Sequence, residues 1–293
     1  MNTPQNLAWK KQDIAALIIA IVGWGGNFLA IRYAVLEIPS WTALTLRLML
    51  VSCLLLPFLK NPIPHLKTYL LISLVLIPGH FGLLFLASEL TTNVASISLF
   101  IQLNPAFALL FAWYLLGEKP GTRRLVGMAL AFTAMLILFY EPNLLGMSLA
   151  LIMATLSAMF MGIYSVLLRS AHRSIRPIDI IGWSAIFGTP VIAVIAMTVE
   201  GSPQENLSDI SYSAILAILY STLVSSILCH GLWAWLCQRH PVAEVVPFTL
   251  LVPIVAVSLS VLLLDEQITL QMIIAAIFLG CGMFIIARSK KKN

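Results

Sequence analysis

The sequence predicts an all-α membrane protein whose ten transmembrane helices form two inverted five-helix repeats. Three observations carry this. Of the 293 residues, 60% are hydrophobic and 10% are charged, with a mean hydropathy of +0.98. A soluble domain carries about 25% charged residues. Cutting the chain at charges, prolines and polar clusters leaves ten apolar runs near the ~20 residues that a helix needs to cross a bilayer. The charges between those runs segregate by side, as the positive-inside rule requires. This composition excludes an ordinary soluble enzyme, a disordered chain, a collagen and a disulfide-rich secreted scaffold.

The runs follow one another as 13–35, 41–59, 66–87, 92–116, 122–140, 145–169, 177–199, 211–236, 242–264 and 268–288. The first opens behind Lys10 and Lys11, with Asp13 in its first turn, where an acid complements the helix dipole. The second starts after Pro39, carries Arg47 and stops at Lys60. The third ends before Glu89, and the fourth ends at Gly117-Glu118. The fifth opens on Arg123-Arg124 and closes at Glu141. The sixth is spaced with Ala150, Ala154, Ser157 and Ala158, small residues that let helices pack closely in lipid. The seventh opens with Asp179, and the eighth follows the longest polar loop, Glu200 to Ser211. The ninth closes on Asp265-Glu266, and the tenth runs into the basic tail from Arg288. The alternation expected of a membrane β-barrel is absent. No cleavable signal peptide is expected, because the run from Ile14 lacks a small-residue cleavage site followed by a polar mature domain.

With the N-terminus in the cytoplasm, 15 of the 17 Lys and Arg residues fall on the inner side; the other two, Arg32 and Arg47, lie within spans. The outer loops hold no Lys or Arg and carry Glu37, Glu89, Glu141, Glu200, Glu205, Asp209, Asp265 and Glu266. Both termini are therefore expected to be cytoplasmic. The four cysteines, Cys53, Cys229, Cys237 and Cys281, make no CxxC pair, so neither a metal nor a disulfide framework is expected.

An internal repeat divides the chain. Pro105 precedes Glu118 by the same 13 residues that separate Pro253 from Glu266, an offset of 148. At that offset Val94-Ala95 falls on Val242-Ala243, and near offset 137 Gly25 falls on Gly162 and Arg32 on Arg169. The halves are 1–141 and 142–293. Five spans is an odd number, so the second half enters the membrane the other way up. Inverted repeats of this kind place a substrate site at the midplane and work by alternating access.

Trp24-Gly25-Gly26-Asn27-Phe28, Arg47 in the second span, and the two proline-to-glutamate helices ending at Glu118 and Glu266 resemble the EamA family of the drug/metabolite transporter superfamily. The resemblance covers nearly the whole chain. It implies export of small metabolites, amino acids or their derivatives, or toxic compounds, across the bacterial inner membrane. The second half departs from the pattern, with Asp265 in place of Gly117 and no counterpart of the Trp24–Phe28 motif.

Polar groups inside spans are functional candidates. For Arg47 two readings stand: a structural ion pair with Glu37 or Glu89, or a gate or carboxylate clamp. His80 and His230 lie deep in spans three and eight, 150 residues apart. They are either hydrogen-bonded helix contacts or proton carriers, since imidazole titrates near physiological pH. Glu89, which follows the helix of His80, is the best carboxylate for proton coupling, with a helix-capping role as its rival. Asn27, Gln102, Asn104 and Thr249 are neutral polar groups at depth. Trp24, Phe85, Tyr164, Trp183 and Trp233 are candidate cavity walls, while Trp41, Trp113 and Tyr114 suit an interfacial belt. Pro105 and Pro253 are expected to break their helices and shape the cavity. Glu118 and Glu266 are each placed to cap the helix that follows.

No nucleotide-binding or hydrolase motif is present. The expected function is a secondary transporter that takes a small-molecule substrate and needs no cofactor, metal or nucleic acid. It sits in the bilayer as a monomer or weak homodimer. A nucleotide-sugar or lipid exchanger is the nearer alternative and would want several cavity cations, for which only Arg47 and Arg32 are available. A membrane-embedded transferase would need clustered acids or histidines at one interface, and a channel would need a filter or repeated lining charges.

Overall fold

The computed structural model describes residues 9–117, 121–140, 147–171, 175–202, 207, 210–240, 245, 248–249 and 251–288. Among these the secondary structure is entirely helical. Eight stretches are long and apolar enough to cross a membrane, and two shorter apolar helices, Leu251–Leu264 and Leu270–Ile286, fall where the ninth and tenth spans are expected. The described part of the ninth begins at Leu251, later than the expected 242.

In chain order the helices are α1 (Lys11–Val35), α2 (Ser40–Leu55), α3 (Leu66–Leu74), α4 (Leu83–Glu89), α5 (Val94–Ile101), α6 (Asn104–Leu116) and α7 (Thr122–Phe139). They continue as α8 (Ser148–Ser170), α9 (Pro177–Val199), α10 (Tyr212–Tyr220), α11 (His230–Arg239), α12 (Leu251–Leu264) and α13 (Leu270–Arg288). Spans three and eight each contain a wider π-helical segment, Val75–Gly82 between α3 and α4 and Ser221–Cys229 between α10 and α11. In the first, Pro78 removes a backbone donor and forces the local change of register. In the second, the Thr222 hydroxyl donates to the Ile218 carbonyl at 2.8 Å, the kind of side-chain bond that competes with the helical ladder. Such π segments concentrate at functional sites.

The helix packing maps onto itself when each span of the first half is exchanged for its counterpart in the second. Span one packs on spans eight and nine, and span six packs on spans three and four. Span two packs on span seven, and span five on span ten. The two halves therefore interlock. The Trp24–Phe28 motif explains part of this: a Cβ on Gly25 would lie 2.5 Å from Val255, and one on Gly26 would strike the Tyr220 hydroxyl. Only glycine lets α1 approach spans eight and nine so closely.

At one end of the bundle, carboxylates hold the N-termini of helices other than their own. Glu200 accepts from the Trp41 and Thr42 amides at 2.8 Å and from the Thr42 hydroxyl at 2.7 Å. Glu266 accepts from the Val94 and Ala95 amides at 2.7 and 3.0 Å. The expectation that Glu266 caps the helix following it is thus corrected: it caps α5, in the other half, because the fold brings that helix start beside it. Glu89 is exposed and accepts from the Ser40 amide at 3.3 Å, a capping contact. Glu118 lies outside the described residues.

Glu37 accepts from the Ser211 hydroxyl at 2.6 Å and the Ser211 amide at 2.8 Å. These two bonds hold its carboxyl below the usual carboxylate range. A depressed pKa contributes stability above the ordinary value and loses it as pH falls through the depressed one. The first turn of α10 is therefore expected to lose hydrogen-exchange protection as pH drops below about 4.3. Glu37→Gln should abolish that dependence once the intrinsic exchange rate is corrected for.

At the opposite end, Asp13 lies 3.4 Å from Arg239 and 3.3 Å from His240, tying span one to span eight, and Trp9 stacks on His240. Asp179 accepts from the Lys60 amide at 3.1 Å and pairs with Arg176 at 2.6 Å, tying span seven to span two. That pairing raises the Arg176 guanidinium further above its ordinary value.

Candidate substrate site

The interlocked centre holds a connected cluster of charged and aromatic side chains. Arg47 on α2 is wholly buried. Its Nε donates to the Ser226 hydroxyl at 2.7 Å, and one Nη donates to the Ser225 hydroxyl at 3.4 Å. Its guanidinium lies 4.3 Å from the centre of the Phe81 ring and 5.6 Å from that of Phe85. The ion-pair reading of Arg47 is corrected: Glu37 and Glu89 are engaged at helix N-termini, and Arg47 meets hydroxyls and rings instead. The depth of the residue decides this, because α2 carries Arg47 two turns below the end where those acids lie.

From Phe81 the cluster continues to His230 at 5.2 Å between ring centres, then to Trp24 at 5.0 Å and on to Trp233 at 5.3 Å. His80 lies beside Phe81 at 5.0 Å. The cluster thus joins spans one, two, three and eight, drawn from both halves. Within it, Arg47 Nη1, His230 Nδ1, Trp24 Nε1 and Trp233 Nε1 are buried and have no hydrogen-bond partner among the described residues. A buried polar atom left unpaired costs roughly 1–3 kcal/mol.

The two histidines differ. The Ser157 hydroxyl donates to the His80 carbonyl at 2.8 Å, which uses its single proton. His80 Nδ1, 2.9 Å from that same oxygen, is therefore the donor of the pair. Span six supplies this serine. At the offset that lays Gly25 on Gly162, the residue of span one corresponding to Ser157 is Ala20, which carries no hydroxyl, and His230 Nδ1 has no partner among the described residues.

Other expected site residues lie apart. Gln102 Nε2 donates to the Thr249 carbonyl, joining spans four and nine across the halves. Asn104 Nδ2 donates to the Ile101 carbonyl at 3.0 Å, spanning the break between α5 and α6. Pro105 stands in the first turn of α6, directly after the break at Gln102 and Leu103, and Pro253 is the third residue of the described part of α12. Asn27 accepts from the Ser221 hydroxyl at 2.9 Å, within the contact of spans one and eight. Tyr164 is fully buried on α8.

Trp183 does not join the cluster. Its Nε1 donates to the Lys60 carbonyl at 2.9 Å and its ring stacks on Phe187, at the end where spans two and seven are tied. The position of Trp183 only six residues into its helix explains this. Trp113 and Tyr114 are exposed, as a belt requires. A cavity of about 520 Å³ lies between α5, α12 and α13, but apart from Ser258 its side chains are apolar, and Pro253 alone of the expected site residues reaches it. It offers little to orient a polar molecule.

Sequence reading missed Phe81, Ser157, Ser225 and Ser226 as parts of this centre. Ser226 lies one helical turn before His230, and Phe81 adjoins His80. That neighbourhood was a usable signal.

Apolar helices long enough to cross a membrane, with unpaired donors gathered where they meet, have the architecture of a membrane transporter. The family profile described as the EamA-like transporter family matches residues 12–140 and again 148–288. The chain belongs to that family, and the double match reflects its internal repeat. It is 29% identical over 284 residues to the "Probable amino-acid metabolite efflux pump" of Escherichia coli (strain K12), covering 94% of each chain. The Salmonella typhimurium protein of the same name is 28% identical with the same coverage. The "Uncharacterized inner membrane transporter YedA" of Escherichia coli is 25% identical over 255 residues, 84% of this chain and 80% of that one. A solved crystal structure shares the fold, with a TM-score of 0.66 at 17% identity, covering 94% of this chain and 96% of the other.

Proposed function

We propose that this protein is an inner-membrane secondary transporter that exports small metabolites, amino acids or their derivatives above all, by alternating access driven by a proton gradient. The observation that carries this reading is the set of unpaired buried donors where the two halves interlock. The names of the two efflux-pump relatives support the substrate class. The packing that survives exchange of the halves supports ten spans in two inverted five-helix units, 1–141 and 142–293. The distribution of Lys and Arg supports cytoplasmic termini.

The contacts support a division into moving bodies. Spans one and eight are tied at both ends, by Asp13 to Arg239 and His240 and by Glu37 to Ser211. Spans two and seven are likewise tied at both ends, by Asp179 to Lys60 and by Glu200 to Thr42. Each pair moves as a unit. Rocking takes place between the pairs, across the Arg47 contacts with Ser225 and Ser226.

The test is flux in proteoliposomes against a panel of amino acids, their derivatives and amphipathic drugs, with and without a pH gradient. At least one amino-acid-type solute should move faster with the gradient than without it. Transport of drugs alone, or rates indifferent to the gradient, would reject the corresponding part of the reading.

A further inference from the structure

The central cluster is unbalanced in two ways. It holds one full positive charge, on Arg47, and Arg47 makes no ion pair among the described residues. Among the described residues the buried acids are Asp13 and Asp179, and both are already held by partners at the far end of the bundle. The cluster also has donors in excess of acceptors. Guanidinium and indole nitrogens only donate. Arg47 Nη1, Trp24 Nε1 and Trp233 Nε1 are buried without an acceptor, and His230 Nδ1 beside them is equally unpartnered. A buried cation with spare N–H groups is suited to a planar oxyanion.

Resting on the carrier reading above, we infer that Arg47 receives the carboxylate of the transported molecule. The preferred substrate is a singly charged carboxylate whose amino group, where it has one, is acylated. Charge selects this class. Arg47 and one carboxylate sum to zero; Phe81 and Phe85 lie against the guanidinium, and Trp24 and Trp233 are joined to them through His230. A free ammonium group would enter beside Arg47 with no acid to meet it, and a phosphate dianion would leave a negative charge unpaired. Burying an uncompensated charge is costly. The rings supply the surface for the apolar part of the substrate.

The experiment is a binding titration of the full chain in lipid nanodiscs, read by intrinsic tryptophan fluorescence. The ligands are N-acetylphenylalanine, N-acetylphenylalaninamide, phenylalanine, phenylalaninamide and phenyl phosphate. N-acetylphenylalanine should bind at least about tenfold more tightly than either amide, with phenylalanine and phenyl phosphate weaker than it. Arg47→Gln should erase the preference for carboxylate over amide, and Arg47→Lys should keep part of it. Equal binding of acid and amide by the unmodified protein, an unchanged preference in Arg47→Gln, or no binding by any ligand would overturn the assignment. Tighter binding of phenylalanine or phenyl phosphate would overturn the charge class. The series on the unmodified protein decides the matter even if the Arg47 variants fail to fold. Carboxylate-selective binding without flux in liposomes would reject the carrier and leave the Arg47 site standing; flux without carboxylate selectivity would do the reverse.

Discussion

His230→Gln is expected to reduce flux driven by a pH gradient by more than about tenfold while substrate counterflow falls less, because glutamine keeps a hydrogen-bonding amide at the site but cannot carry a proton. The two assays separate proton movement from substrate binding, because counterflow needs only the loaded carrier to reorient. His230 is singled out over His80 by its hydrogen bonding. His80 Nδ1 is committed to Ser157, whose own proton is committed to the His80 carbonyl. Nδ1 of His230 has no such partner. His80→Gln should therefore act mainly on stability, by about 1 kcal/mol for one lost hydrogen bond, with a smaller loss of driven flux. If the repeat correspondence holds, Ala20→Ser places a hydroxyl where span six carries Ser157, and is expected to slow driven flux without lowering Tm. Equal effects of the two histidine variants on driven flux would remove the distinction. Unchanged driven flux in both would remove histidine from the coupling altogether.

The largest structural effect is expected at the crossing of α7 and α13. A Cβ on Gly282 would lie 2.5 Å from the Gly127 carbonyl oxygen, and a Cβ on Gly127 would strike the Gly282 carbonyl in return. The atoms in the way are backbone, so no side chain can rotate aside. Overpacking typically costs 1–3 kcal/mol, and here separating the helices also forfeits the contact between the last spans of the two halves. Gly127→Val and Gly282→Val should each abolish recovery of monodisperse protein in mild detergent. Gly280 is the internal control: a Cβ there meets nothing within 4 Å, so Gly280→Ala should be neutral. Normal recovery of either valine variant would show that this crossing does not hold the halves together.

Much of the fold is legible in the sequence because lipid imposes a one-dimensional rule. A backbone in hydrocarbon must satisfy its own hydrogen bonds, so apolar length alone reads out as helix. The expected run 177–199 coincides with α9, and 13–35 with α1 to within two residues. Breaks inside a span are less legible. Pro105 announces an interruption, but only the backbone shows it opening at Gln102 and Leu103 before α6 begins. The π segment at Ser221–Cys229 has no proline to announce it at all.

The candidate site is half legible for a related reason. Rarity marks polar residues in apolar helices, so Arg47, His80, His230 and Trp24 stand out in the sequence. Which of them meet depends on helix rotation and on contacts more than a hundred residues apart. Ser226 reaches Arg47 across 179 positions, and Glu266 caps Val94 across 172. Trp183 looks as eligible as Trp233 in sequence, yet faces Lys60 at the end of the bundle.

The amino-acid sequence by itself determined the membrane class, the helical runs and the duplication, because each follows from how often polar groups interrupt apolar ones. Only the tertiary structure decided that Arg47 meets hydroxyls and aromatic rings rather than an acid, that the carboxylates at one end cap helices other than their own, and that one histidine is satisfied while the other is not. Those outcomes depend on which faces of distant helices are turned together, and that is settled by packing at close approaches such as Gly25 on Val255 and Gly127 on Gly282.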